Sequence, residues 1–113
     1  MDTSTTITIR HNSAAHRFEL LDEGRVIGEA DYLPFDGAAG GQRIFFHTVV
    51  DEEYGGQGWG SRLATVALED TVAAGMTIVP VCPYIHAFLG RHPEFARHAV
   101  AVRTEHLVAL RQG

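Results

Sequence analysis

An apolar run at residues 43–50 delivers the chain into four glycines, Gly55, Gly56, Gly58 and Gly60, and an amphipathic helical stretch starts at Ser61. This strand–loop–helix unit constrains the fold more than any other segment. Glycine lets the backbone turn sharply and brings amide N–H groups close to a ligand. The start of a helix leaves N–H groups unpaired and carries partial positive charge, so the junction suits a phosphate. A plain turn between strand and helix remains the alternative, but turn chemistry alone needs only one or two glycines. The segment therefore reads as a pyrophosphate cradle.

Two common nucleotide loops fail against it. Gly55 and Gly60 have the spacing of a Walker A loop, but Ser61 and Arg62 follow and the phosphate-binding lysine is missing. The dinucleotide fingerprint Gly-x-Gly-x-x-Gly fails because the run from Gly56 is Gly-x-Gly-x-Gly. The loop instead resembles the Arg/Gln-x-x-Gly-x-Gly/Ala loop with which GNAT acyltransferases hold the pyrophosphate of acetyl-CoA. Gly58, Trp59 and Gly60 match, while Gly55 at the Arg/Gln position departs from it. The segments His47-Thr48-Val49-Val50, Pro80-Val81-Cys82-Pro83-Tyr84 and Arg91-His92-Pro93-Glu94-Phe95 resemble, in the same order, those of very small single-domain GNAT-like proteins. The resemblance covers residues 25–95.

The resemblance implies an α/β (α+β) architecture: a reduced GNAT fold whose mixed, mostly antiparallel central sheet is splayed at the CoA site and flanked by helices. It implies acetyl-CoA as cosubstrate. Val49 and Val50 would pair with the pantetheine arm through main-chain groups. Gly55, Gly56, Gln57, Gly58, Trp59, Gly60 and Ser61 would hold the pyrophosphate. The acceptor is not implied, so an unidentified small-molecule or peptide amine is expected.

At 113 residues the chain is expected to form one domain over residues 1–113, with a modest core. A 45% hydrophobic content argues against disorder. No apolar run approaches the ~20 residues of a membrane span, and the polar start Met1-Asp2-Thr3-Ser4-Thr5-Thr6 lacks the features of a signal peptide. A single cysteine excludes an internal disulfide and fits a reducing cytoplasm. All nine basic residues are arginine, set against 14 acidic ones. The net charge of −5 argues against nucleic acid, and anion binding must depend on local donors.

Ile7 and Ile9 alternate with polar residues as a first strand, and Phe18/Leu20 and Val26/Gly28/Ala30 flank the turn Asp22-Glu23-Gly24 as a hairpin. Residues 33–42, with Pro34, Gly37, Gly40 and Gly41, read as a loop. In the central strand at residues 43–50, Ile44, Phe46, Thr48 and Val50 are expected on one face and Phe45, His47 and Val49 on the other, both faces buried. Residues 61–74 form a helix capped by Gly75, residues 76–82 a second buried strand, and residues 83–91 a helix that stops at Pro93. A short helix is expected over residues 104–111. Only residues 11–15 separate the first two strands, where larger GNAT proteins place two helices that shape the acceptor pocket. That shortening implies an open or minimal acceptor site.

Acyl transfer to an amine needs a base, donors to the thioester oxygen and an acid for the departing thiolate. The glutamate and tyrosine used by many GNAT enzymes do not carry over: Ile44 stands where the acid is sought, and Phe88 and Leu89 where the tyrosine is expected. Cys82, at the end of the second buried strand, could take the acyl group, protonate the thiolate, or only pack. Tyr84 is a candidate acid or acceptor contact, or a packing residue. His47 is a candidate base, with a hydrogen-bonded core histidine as the alternative. Asp51, Glu52 and Glu53 read as a solvated turn. None of the seven histidines forms a metal-binding spacing and Cys82 has no partner cysteine, so no metal is expected. Two functions of different class follow: an acetyl-CoA-dependent N-acyltransferase, or a non-catalytic acyl-CoA-binding module. A protein-interaction domain without a cofactor would leave the glycine loop unexplained.

Overall fold

The computed structural model describes residues 6–112; the polar start at residues 1–5, which argued against a leader, lies outside them. Strands β1 (Ile7–Asn12), β2 (Arg17–Asp22), β3 (Arg25–Gly37), β4 (Gly40–Val50) and β5 (Thr77–Pro80) make one sheet in that spatial order. All neighbours are antiparallel except β4 and β5, which run parallel. A parallel pair needs a crossover, and helix α1 (Trp59–Ala73) supplies it. Helices α2 (Pro83–Arg91), α3 (Pro93–Ala96) and α4 (Thr104–Gln112) follow β5. Between β1 and β2 there is only a 3-10 turn at Ser13–Ala15, where the Asn12 carboxamide oxygen accepts the Ala15 N–H at 3.2 Å.

Residues 33–42 are not a loop. Most of them belong to a hairpin in which Leu33, Phe35 and Gly37 pair with Ile44, Gln42 and Gly40. Pro34 is tolerated there for a positional reason. Tyr32 donates its N–H to His16 C=O, at the end of β2, so the like-directed nitrogen of Pro34 falls where β2 no longer runs. Proline is accepted on such an open edge.

The expected alternation along β4 is also broken. Asp31 pairs with His47 and Tyr32 with Phe45, which leaves Phe46 as the extra residue of a bulge. Beyond it, Thr48 and Val50 share the face of Phe45, while His47 and Val49 share that of Ile44. His47 is therefore exposed, as is Phe46, and the core-histidine role does not apply.

The main core lies on the Phe45 face. Leu63, Ala64, Ala67 and Leu68 of α1 recur at helical spacing and pack with Phe18, Leu20, Ala30, Phe45 and Ile78. Burying each leucine contributes about 1.5–3 kcal/mol. The buried Arg43 ties α1 to β4. Its Nη1 donates to Asp70 at 2.7 Å and to Thr71 Oγ1 at 3.1 Å, and its guanidinium lies 4.8 Å from the Tyr32 ring centroid. On the other face, α4 is pinned by the buried His106. Nδ1 accepts the Arg103 N–H at 3.0 Å, so Nε2 carries the proton and donates to Gln42 at 2.8 Å.

Arg43→Met should keep the hydrophobic stem but lose these charged hydrogen bonds, lowering unfolding free energy by about 2 kcal/mol. Asp70, which is partly solvated, should cost less when changed to Asn. Equal denaturant midpoints for all three proteins would show that this tie contributes nothing.

Candidate functional site

The β4–β5 pairing stops at Phe45 and Pro80. One further bond, Cys82 N–H to Phe45 C=O at 2.8 Å, closes the apex, and Pro83 then starts α2 and leads the chain away. From Phe46 onward, among the described residues, β4 has no strand on that side. Asp51 N–H donates to Ile27 C=O at 2.7 Å, which sets the ladder's phase. Val49 and His47 thus direct their main-chain groups to β3, while Thr48 and Val50 direct theirs into the gap. Of the two valines expected to pair with an added chain, Val50 has the outward groups; Thr48 has the other set.

A cavity of about 290 Å³ adjoins this edge, lined by Thr48, Val49 and Val50, by glycines 55, 56, 58 and 60, and by Trp59, Ser61 and Tyr84. The structure thus brings to one cavity every residue expected to bind the cofactor except Gln57. That residue stands beside it and accepts the Trp59 indole N–H at 3.2 Å. Gly56 and Gly58 have φ of 76° and 84°, the left-handed region that other residues adopt only with strain. Among the described residues, a Cβ at either would meet nothing within 4 Å beyond its own chain neighbours. Gly58 caps α1 by position only: no side chain bonds its first turn, and no acidic residue sits there. The helix-start N–H groups and their partial positive charge are left for a ligand. The loop is anchored ahead of this point, where the Tyr54 hydroxyl donates to Asp22 and Arg25 approaches Glu53 at 3.4 Å. Asp51, Glu52 and Glu53 are solvent-exposed, as expected of a solvated turn.

The three candidate catalytic side chains divide between the faces. The Cys82 thiol is buried at the apex and donates to the Thr48 hydroxyl at 3.5 Å. Tyr84, in the first turn of α2, reaches over the glycine loop, its hydroxyl 3.0 Å from where a Cβ on Gly60 would stand. His47 is on the opposite face, away from both.

Around His47 the structure assembles a group that no spacing along the chain shows. Glu29, Asp31 and His47 bring ligand atoms within 4.8 Å of one another across β3 and β4. Burial, then the hydrogen bond and negative charge of Glu29, push the Asp31 carboxyl up to about 6. The only sequence signal was the i, i+2 spacing of Glu29 and Asp31, opposite in phase to Gly28 and Ala30 on the core face. Next to this pair, Glu19 is almost fully buried and held by Arg17 at 2.7 Å, Asn12 at 3.2 Å and Arg10 Nε at 3.1 Å. Arg10 first, then Arg17 and Asn12, bring Glu19 down from 4.5 to about 2.

A depressed carboxyl stabilises the fold above its unfolded value and stops doing so as pH falls through its folded value. The stability gap between the protein and Glu19→Gln should therefore be full above pH 4.5 and shrink toward pH 2. Denaturation curves at stepped pH measure it; a gap constant over that window would contradict the assignment.

A family model for GCN5-related N-acetyl-transferase matches residues 17–98. An NMR solution structure of a Staphylococcus aureus protein, described as a candidate GCN5-like N-acetyltransferase, aligns with a TM-score of 0.64 at 21% identity, over 90% of this chain and 96% of that one. That likeness shows a shared fold. Two structures of a mutant AtaT toxin bound to the C-terminus of the antitoxin AtaR, one also with acetyl-CoA, align with TM-scores of 0.43 and 0.42 at 22% identity. These cover 72% of this chain and 58% and 59% of theirs. No curated protein sequence matches significantly.

Proposed function

Because the chain belongs to the GCN5-related N-acetyltransferase family, we propose that it transfers an acetyl group from acetyl-CoA to an amine. The observation that carries this is the open β4 edge running into an uncapped helix start. Thr48 and Val50 offer main-chain groups to an extended pantetheine arm, and the N–H groups at residues 58–61 offer donors to a pyrophosphate. The positive-φ glycines leave room for the backbone to approach it. Both contacts use main-chain atoms, so an anion can be held by a chain whose net charge is −5. Acetyl-CoA, when bound, supplies the activated acyl group.

At the apex, the Cys82 thiol is the residue we assign to the thioester end. It either accepts the acetyl group or returns a proton to the departing thiolate. If it accepts, the Cys82 sulfur forms a bond to the acyl carbon as the carbon–sulfur bond to CoA breaks. The thiol proton leaves with the CoA sulfur, and the acceptor amine later takes the acyl group. Tyr84 borders the cofactor arm and is a proton donor in the direct alternative.

Gly58→Asn tests the cradle with little backbone strain, since asparagine tolerates the left-handed region. It should stay folded and bind CoA at least tenfold more weakly, equivalent to about 1.4 kcal/mol. Calorimetry finding unchanged affinity would remove the cradle. Covalent participation should appear as a hydroxylamine-labile acetyl group on Cys82 after incubation with acetyl-CoA, read by mass spectrometry. Turnover without such a label would assign direct transfer. CoA binding without release of CoA in the presence of any amine would leave the non-catalytic binding module as the function.

A further inference from the structure

A second cavity, of about 370 Å³, opens on the sheet face opposite the glycine loop. Its walls come from four places: His16 at the β1–β2 turn, Asp31 and Leu33 on β3, Phe46 at the bulge, and Leu110 on α4. The two cavities meet β4 from opposite sides, one at residues 48–50 and the other at Phe46, where the strand loses its parallel neighbour. Phe46 is 41% exposed, a large apolar surface left open in the cavity wall. Among the described residues, Asp31 is the carboxylate in that wall.

We propose that this second cavity is the acceptor site and that it takes a primary amine bearing an aromatic or alkyl group, with the Asp31 carboxylate holding the ammonium and removing its proton. The inference rests on the acyl-transfer function proposed above, and it deepens that function by naming the substrate class. The apolar walls, Leu33, Phe46 and Leu110, bury the substituent, while the carboxylate matches the cationic end. Larger relatives were expected to build this pocket from helices between the first two strands. Here α4 and the bulged strand enclose it.

The groups around Asp31 support the role. Glu29 is its neighbour on β3, Arg17 faces it from β2, His47 from β4, and His16 borders the cavity from the turn. From α4 only the apolar Leu110 lines it. Burial and the Glu29 charge bring Asp31 to about 6, closer to neutrality than an ordinary carboxyl and so a stronger base. In the transfer, one ammonium proton passes to Asp31 and the nitrogen lone pair forms the bond to the acyl carbon. The carbon–sulfur bond breaks with its electron pair going to sulfur. The thiolate takes up the second proton that the nitrogen sheds, so the amide and the thiol are formed and Asp31 later releases its proton to solvent. If the acyl group rests on Cys82, the same balance holds with the Cys82 sulfur as leaving group.

Amide NMR of the labelled protein with CoA bound, titrated with phenethylamine, tests the assignment. Shifts should concentrate at Asp31, Leu33, Phe46 and Leu110, with ethanolamine binding at least tenfold more weakly. Asp31→Asn should lower kcat/KM for phenethylamine about 10²-fold while leaving CoA affinity intact. Phe46→Ala removes an exposed ring and so spares the core; it should raise KM about tenfold with kcat retained. No shifts at these amides, or ethanolamine bound as well as phenethylamine, would overturn the proposal. So would an Asp31→Asn protein of undiminished kcat/KM. Failure of the acyl-transfer function itself would look different: phenethylamine would bind here, but CoA would not shift residues 55–61, and the cavity would then be an amine site and not an acceptor site.

Discussion

The hydrogen bond from Cys82 N–H to Phe45 C=O is the point on which the site depends, because it is where a parallel strand pair is made to stop. Proline stands at positions 80 and 83, on either side of that bond. Neither can donate to a ladder, and a proline at the first position of a helix is favoured, so the chain leaves the sheet there as α2. At the same level Phe46 adds a residue to β4 and sharpens its twist. One strand turns away while the other bends, and a gap opens between them. The outward main-chain groups of Thr48 and Val50 are its product.

A gap is useful only if its walls hold still. Arg43 provides the stiffness, since it lies in the paired part of β4 and bonds to Asp70 and Thr71 late in α1. The opposite end of the same helix is the uncapped start beside Gly58. The edge and the helix start are thus held by one rigid pair of elements. His11 extends the tie across the sheet, with Nε2 2.6 Å from the Tyr32 hydroxyl and Nδ1 3.7 Å from Asp70. Burial lowers the His11 pKa, against the pull of Asp70. The ring stacks on Phe18 at 4.1 Å and so belongs to the packing as much as to the polar network.

Much of this was legible in the chain. The glycine spacing marked the loop, and helical periodicity marked α1 and its stop at Gly75, which has φ of 74°. The short connection after β1 announced that no helices intervene. What escaped were features decided by partners distant in sequence. Pro34 and the nearby glycines argued locally for a loop; the strand exists because Leu33 and Phe35 find Ile44 and Gln42 across a tight turn. A period-two reading of β4 cannot contain a bulge, and one unpaired residue moved His47 from the expected core to the surface. Asp31 gained its meaning only when pairing set it beside His47 and Arg17.

That one-residue shift also decides which cavity each part of β4 borders. With strict alternation, Phe46 would have shared a face with Thr48 and Val50, on the side of α1. The bulge leaves Phe46 and His47 toward the face of α4 and keeps Thr48 and Val50 toward α1. The two cavities therefore draw on neighbouring residues of one strand, Phe46 for one and residues 48–50 for the other. The face opposite α1 still needs cover, because Ile44 and Val79 are fully buried and register places both there. Helix α4 supplies it, held by His106 between Arg103 and Gln42. Its next turn carries Leu110 to the wall of the second cavity. A helix after the sheet thereby closes one side of a cavity that the short β1–β2 connection leaves open.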